Sequence, residues 1–412
     1  MRACERLLKY VKIMSPSDEN STTVPSTPAL MDIAKIICRD MLEMGIEDAH
    51  VSEYGYVYGS IPATKGYEDR VALGFIAHMD TVSDFADHEV NPRIVENYDG
   101  GDIVLGDSGR VIETEKFPHL KNLVGKTIIT SDGTTILGAD DKAGVSIILT
   151  MAEEIMKEGT PHGKICIGFT PDEEIGRGPD YFDIPDFGAD FAYTVDGGQE
   201  NEVEYENFNA ASAILEATGF SVHPGEAKNR MINAADALAR FAAQLPIDET
   251  PATTEGREGF YHLVDFSGAV EKARAVYILR DHDADKLEQK KQVMRDTVER
   301  INALYGSEVI TLTIKDSYKN MLEIIRRHFH LIENAYEAVK SCGLEPASFP
   351  VRGGTDGATI SANGLPCPNL GTGGYAYHGP FEHCCVEGMD TSVRILKSLI
   401  RIYSEKRPED FR

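Results

Sequence analysis

The apolar runs in the first half of this chain do not end in neutral turns; they lead into carboxylates and an imidazole. Val71–Ala77 leads to His78-Met79-Asp80, Lys164–Thr170 to Asp172-Glu173-Glu174, and Phe191–Val195 to Asp196-Gly197-Gly198. Continuous apolar runs of this length read as strands buried on both faces, and the loops at strand ends are where functional groups gather. Gly138-Ala139-Asp140-Asp141-Lys142-Ala143-Gly144 falls between the first two clusters, and Tyr377-His378-Gly379 follows far downstream. A fold that brings these clusters to one sheet edge assembles two imidazoles and several carboxylates. They cannot all be buried and charged there without a cation.

The intervening segments supply the helices. Ala29 to Met44 places Leu30, Ile33, Ile37, Met41 and Met44 on one helical face, with Gly45 as a natural stop. Asp141 to Lys157 repeats the spacing through Ala143, Ile147, Ile148, Met151 and Ile155. Strand–helix–strand order predicts an α/β core with a mixed or largely parallel sheet. Residues 84–122 are polar and Gly-rich and predict irregular hairpins. From about residue 208 the pattern changes to strand 210–219, helix 232–245, strands 260–266 and 273–281, helix 283–304 and strand 308–314. That β-α-β-β-α-β order predicts a ferredoxin-like insert. Helical spacing resumes over 321–341. The expected organisation is a core domain in two parts, 1–207 and 318–412, interrupted by a lid domain over 208–317.

Composition narrows the function. At 412 residues the chain is long enough for two domains. A net charge of −26 excludes a nucleic-acid partner, since a phosphate backbone selects basic surfaces. No run of about 18 apolar residues occurs, so no membrane span is expected. The N-terminal stretch lacks a signal peptide's apolar centre and cleavage site. The seven scattered cysteines have no zinc-finger spacing, which suits a reducing cytoplasm.

The clusters match a parts list. Two divalent ions about 3.5–4 Å apart can share one carboxylate and activate water. They require a histidine each, a bridging carboxylate, a further carboxylate each, and a free carboxylate as base. His78, His378, Asp140, Asp196 and Glu174 fill the ligand places, and Glu173 remains as base. Asp80, on the same side of an extended segment as His78, can support the imidazole from behind. Each residue alone has an ordinary explanation. Asp141 reads as a helix cap, Asp172-Glu173-Glu174 as a solvated turn, and Asp196-Gly197-Gly198 as a turn signal. Their conjunction after successive strands favours a metal site.

In combination, HMDTVSD, GADDKAG, TPDEEIGRG, VDGG, GFSVHPGEAKNRMINA and the late YHG resemble the peptidase T family. These are bacterial tripeptide aminopeptidases among the co-catalytic zinc exopeptidases, which also include carboxypeptidase G and related deacylases. The resemblance implies a zinc-exopeptidase catalytic domain with an inserted ferredoxin-like α+β lid, and two Zn²⁺, with Co²⁺ or Mn²⁺ as alternatives. It implies one ion on His78, Asp140 and Asp196, the other on Asp140, Glu174 and His378, with Asp80 and Glu173 as catalytic acids. It further implies substrate contacts from the lid, with His223 stabilising an oxyanion, Arg280 binding a substrate carboxylate, and Arg352 joining them. Small peptides are the implied substrates, and lid strands of relatives can pair, which allows a homodimer. One departure stands out. The family's His-Glu-Phe-like turn after the last histidine is here Gly379-Pro380-Phe381-Glu382-His383-Cys384-Cys385, where His383 and the two cysteines offer competing metal donors. A deacylase or dipeptidase on the same metal site is the alternative enzyme. A metal-binding scaffold is the non-enzymatic one, disfavoured by the spare Glu173.

Overall fold

The computed structural model describes residues 1–411. The chain divides into two compact units. One comprises Met1–Tyr205, Glu323–Phe349 and the chain from Thr355 onward; the other comprises Glu206–Leu322 and Pro350–Gly354.

The first unit is built on a seven-stranded sheet. Its order is His50–Val51, Val57–Ile61, Ile165–Thr170, Leu73–His78, Phe191–Gly197, Asn369–Gly371, Val203–Glu204. Leu73–His78 lies at the centre, parallel to both Ile165–Thr170 and Phe191–Gly197. All six of its residues are buried, as its unbroken apolar run requires. The parallel register brings His78 level with Thr170, and Asp196 ends the neighbouring strand. Three acidic or imidazole clusters therefore meet at one sheet edge because three parallel strands finish there.

Helix Pro28–Met44 starts with Pro at its first turn and stops at Gly45, whose φ of 96° only glycine adopts freely. Helix Ala139–Glu158 is irregular at its start, where Asp140 and Asp141 leave helical geometry. Gly144 seats this helix on the sheet. A Cβ there would run into the Val195 carbonyl oxygen and the Asp141 carboxylate. Only glycine lets the helix start approach the strand that carries Asp196. Among the described residues no helix is long and apolar enough to cross a membrane.

Two regions differ from the sequence expectation. The helix expected over 321–341 is broken into Leu322–Ile325, a 3₁₀ turn Arg326–His328, and His330–Ser341. Between Ile325 and Leu331 no side chain is buried, so nothing holds a continuous helix against the core across that stretch. The hairpins expected over 84–122 include Ile103–Leu105 paired with Arg110–Ile112. Arg93–Val95, however, joins a second sheet with Ile128–Thr130, His383–Cys385 and Gly374–Tyr375. Strands of two or three residues drawn from such distant parts of the chain carry no periodic signal.

The second unit is a four-stranded antiparallel sheet in the order Phe260–Gly268, Lys272–Asp281, Asn209–Thr218, Ile310–Tyr318. Helices Ala234–Ala242 and Ala284–Tyr305 pack on it around Leu215, Phe241, Tyr277, Leu279, Met294 and Ile301. Element order and strand order are those of a ferredoxin-like domain. Pro350–Gly354 returns to this unit, with the Val351 N–H donating to the Glu206 carbonyl at 2.8 Å.

Candidate metal centre

The first unit gathers its acidic clusters around one carboxylate. Asp140 Oδ1 lies 2.9 Å from His78 Nε2, and Asp140 Oδ2 lies 3.1 Å from His378 Nε2. Asp196 adds an oxygen 3.5 Å from His78 Nε2, and Glu174 adds one 3.1 Å from His378 Nε2. Asp140 thus stands between two imidazoles, each flanked by a further carboxylate. The peptide joining Asp140 to Asp141 is cis. His78 is only 2 % exposed, whereas the His378 side chain is 55 % exposed, so one end of the cluster opens to solvent.

Burial and like charge perturb these groups. Burial alone lowers the His78 imidazole, but Asp196, Asp140 and Asp80 outweigh it and hold the ring well above its ordinary value. Burial raises Asp196 to about 7 and also pushes Glu174 upward. For Asp140 the hydrogen bonds from His378 and His78 overcome burial, and its carboxyl falls below the usual range. Burial, with the charges of Asp356, Asp196 and Glu174, carries Glu173 well above its ordinary value. So many buried carboxylates are not neutralised by two imidazoles.

The donor set fits divalent metal. Two donors about 2.0–2.1 Å from one tetrahedral zinc lie about 3.3 Å apart, close to the separations of 2.9–3.5 Å found here. Glu174 Oε1 is buried with no hydrogen-bond partner among the described residues, as an oxygen awaiting a cation would be. His78, Asp140 and Glu174 bring ligand atoms within 4.8 Å of one another, and so do His78, Asp141 and Asp196. Asp141 has other work: its carboxylate accepts the His78 N–H at 3.2 Å and the Gly144 N–H at 3.0 Å. The second bond caps the regular part of the helix, as its sequence position predicts.

The two carboxylates expected to act as catalytic acids, Asp80 and Glu173, behave differently from each other. Asp80 is fully buried and accepts the N–H groups of Glu173 at 3.0 Å and Glu174 at 3.1 Å, one on each oxygen. Its Oδ1 also lies 3.4 Å from His78 Nδ1, and its carbonyl lies 3.1 Å from the same nitrogen. Asp80 therefore faces the side of the imidazole turned away from Asp140. Glu173, on the Glu173–Ile175 turn, takes no hydrogen bond on its carboxylate among the described residues.

Comparison with known proteins places the chain. Residues 205–307 match the peptidase dimerisation domain family. Peptidase T of Clostridium perfringens is 47 % identical over 403 residues, 98 % of this chain and 99 % of the relative. The chain belongs to the peptidase T family. Among solved structures, a tripeptidase from Staphylococcus aureus shares the fold with a TM-score of 0.78 at 21 % identity, covering 98 % of each chain. A Bacillus subtilis protein described as a dinuclear metal-binding peptidase does so with a TM-score of 0.65 at 14 % identity, again over 98 % of each chain.

Within this peptidase T-family chain the three expected substrate contacts all lie in the second unit. His223 is exposed, and its Nδ1 accepts the Gly225 N–H at 3.2 Å, which in the neutral ring leaves the proton on Nε2. Arg280 donates from Nη1 to the Arg352 carbonyl at 3.0 Å, while its Nε is buried without a hydrogen-bond partner among the described residues. Arg352 departs from expectation. Its Nη1 donates to the Gly256 and Glu258 carbonyls, both at 2.9 Å, and its Nη2 to Thr254 Oγ1 at 2.8 Å. The guanidinium also lies over the Phe208 and Phe260 rings at 5.1 and 5.5 Å. Arg352 staples the 254–258 loop, and most of its donors are committed to it.

The turn after His378 also differs from expectation. His383, Cys384 and Cys385 are buried in a strand, and His383 Nε2 is 2.9 Å from His119 Nε2, so they are not free donors for stray metal. Three buried groups at the centre went unread in the sequence. Asp356 accepts from Thr170 Oγ1 at 2.6 Å, and burial raises it to about 7. Lys142 donates to the Ile13 carbonyl at 2.7 Å, and burial lowers it to about 8. Glu382 is the third. Lys142 sits inside the Gly138–Gly144 cluster and Asp356 four residues beyond Arg352, and their closeness to those positions is the signal the sequence offers.

Asp80→Ala removes both acceptors from the Glu173–Ile175 turn and leaves two backbone donors unpaired. The expected cost is about 1–3 kcal/mol per orphaned group, read as a lower urea midpoint in metal-free protein. An unchanged midpoint would show that the turn holds itself.

Proposed function

We propose that the chain is a metallo-aminopeptidase that releases the N-terminal residue of tripeptides. The observation that carries this is Asp140 shared between His78 and His378 with Glu173 left free beside them. A site built only to store metal has no need of an uncommitted carboxylate. His78, Asp140 and Asp196 would hold one divalent ion, and Asp140, Glu174 and His378 the other. Zinc suits this nitrogen and carboxylate set, with cobalt or manganese as substitutes. When bound, such ions supply Lewis acidity, polarising a peptide carbonyl and acidifying water.

The chain's own residues would do the rest. Glu173 takes the proton of the attacking water and returns it to the departing amine, which a single carboxylate can do in sequence. Asp80 orients that base through the turn's backbone and steadies His78 from behind. His223 presents an exposed Nε2–H that suits a developing oxyanion. Arg280 would bind the C-terminal carboxylate and so count residues from the scissile bond. The relatives, a peptidase T and a tripeptidase, support tripeptides as substrates.

Glu173→Gln should retain metal yet lose roughly 10²–10⁴-fold in kcat, whereas Glu174→Gln should lose metal itself. Elemental analysis together with turnover of a tripeptide, a dipeptide and an N-acyl amino acid decides the roles and the substrate class. Glu173→Gln stripped of metal beside a loaded Glu174→Gln would reverse the assignment, and preference for the N-acyl substrate would make the chain a deacylase.

Arg280→Ala should raise KM for tripeptides and narrow the gap between free and amidated C-termini. Full retention of that preference removes Arg280 from substrate binding.

The outer strand Phe260–Gly268 leaves Leu263, Val264 and Phe266 at 39, 53 and 43 % exposure on an unpaired sheet edge. Edges of this kind are protected by pairing, and the matched family is a dimerisation domain, so a homodimer through this edge is part of the proposal. Sedimentation equilibrium should give a dimer for the wild type and a monomer for Val264→Asp with Phe266→Asp. A wild-type monomer at micromolar concentration overturns it.

A further inference from the structure

Glu382 sits four residues beyond His378, is 1 % exposed, and among the described residues hydrogen-bonds to no other acidic side chain. Its carboxylate instead accepts three backbone N–H groups from a single loop. Oε2 takes those of Leu137 at 2.8 Å and Gly138 at 2.7 Å, and Oε1 takes that of Asp140 at 2.9 Å. Gly138 adopts a φ of 74°, and the loop curls its amides inward around the carboxylate. Backbone amides converging on one anion form a rigid cradle, here filled from within the chain.

The cradle has a particular address. It holds the backbone of Asp140, the carboxylate that lies between the two imidazoles. Its anchor, Glu382, belongs to the same short segment as His378, which reaches the other oxygen of Asp140. Two groups 238 positions apart in sequence are thereby set relative to each other by one buried side chain. Lys142, buried beside this loop, contributes an attractive charge to Glu382 and to Asp80.

We propose that Glu382 is a positioning residue for the metal centre, fixing the Asp140 carboxylate before any ion arrives. The inference rests on the two-ion reading of the site given above. A glutamate is required by the hydrogen-bond count. Glutamine would turn an –NH₂ toward at least one of the three N–H donors, and aspartate lacks the methylene needed to reach them. Loss of the cradle frees the loop, and donor atoms that must be collected at binding hold metal less tightly.

The test is a titration of metal-free protein with Co²⁺, followed by its visible absorption and by calorimetry. Glu382→Gln should bind roughly 10–100-fold more weakly than wild type, the scale for groups supporting metal ligands. Its kcat should recover at high metal, with KM for tripeptide little changed. Asp40→Asn, which disturbs a buried carboxylate bonded to Tyr10 Oη elsewhere in the unit, controls for lost stability and should bind Co²⁺ as wild type does. Wild-type Co²⁺ affinity in Glu382→Gln overturns the inference while leaving the metal reading standing; a wild-type protein that takes up no ion overturns both. Should Glu382→Gln not fold, amide exchange in the metal-free wild type decides. Slow exchange at Leu137, Gly138 and Asp140 supports a cradle formed in advance, and exchange at open-loop rates overturns it.

Discussion

The constraint on which this structure depends is the burial of more negative charge than its side chains can neutralise. Asp140 lies within hydrogen-bonding distance of two imidazoles, and Asp196 and Glu174 crowd the same two rings. In a low-dielectric setting such a group either takes up protons or takes up cations. The raised values of Asp196 and Glu173 are the protonic answer of the chain alone. The unpartnered buried oxygen of Glu174 marks where a cation is the better one.

Around that centre the backbone, rather than the side chains, does most of the holding. Asp80 binds the amides of Glu173 and Glu174, Asp141 those of His78 and Gly144, and Glu382 those of Leu137, Gly138 and Asp140. Each pairing satisfies a carboxylate with neutral donors, so it orients a loop without adding a competing positive charge. Among the described residues the Glu173 carboxylate is left without a hydrogen bond, although the amides of its own turn are held by Asp80. Glycine at position 144 completes the design by letting the helix start close on the Phe191–Gly197 strand.

The second unit is organised by a cation instead. Arg352 reaches three partners in the 254–258 loop and stacks over two aromatic rings, while Arg280 donates to its backbone carbonyl. The short segment 350–354 belongs to this unit although the chain on both sides of it belongs to the other. A guanidinium that offers several donors in one plane is suited to stapling a loop, and a residue so employed has little left for a ligand.

Much of this was legible in the sequence, for physical reasons. Buried parallel strands must be continuously apolar, so Val71–Ala77, Lys164–Thr170 and Phe191–Val195 announced themselves, and the groups that follow them had to share an edge. The ferredoxin-like unit was equally legible, since its long helices and alternating strands are periodic. His78, Asp140, Glu174, Asp196 and His378 could be named together because all of them lie at the ends of strands, in loops between or after strands, or at a helix start. Tertiary structure decided the remainder. Whether Arg352 meets a ligand or a loop, whether His383 is free or paired with His119, and that Glu382 grips a loop some 240 residues earlier depend on long-range packing. The periodicity of the chain records which face of an element is buried, but not which distant backbone amides a single carboxylate will find once the strands have brought them together.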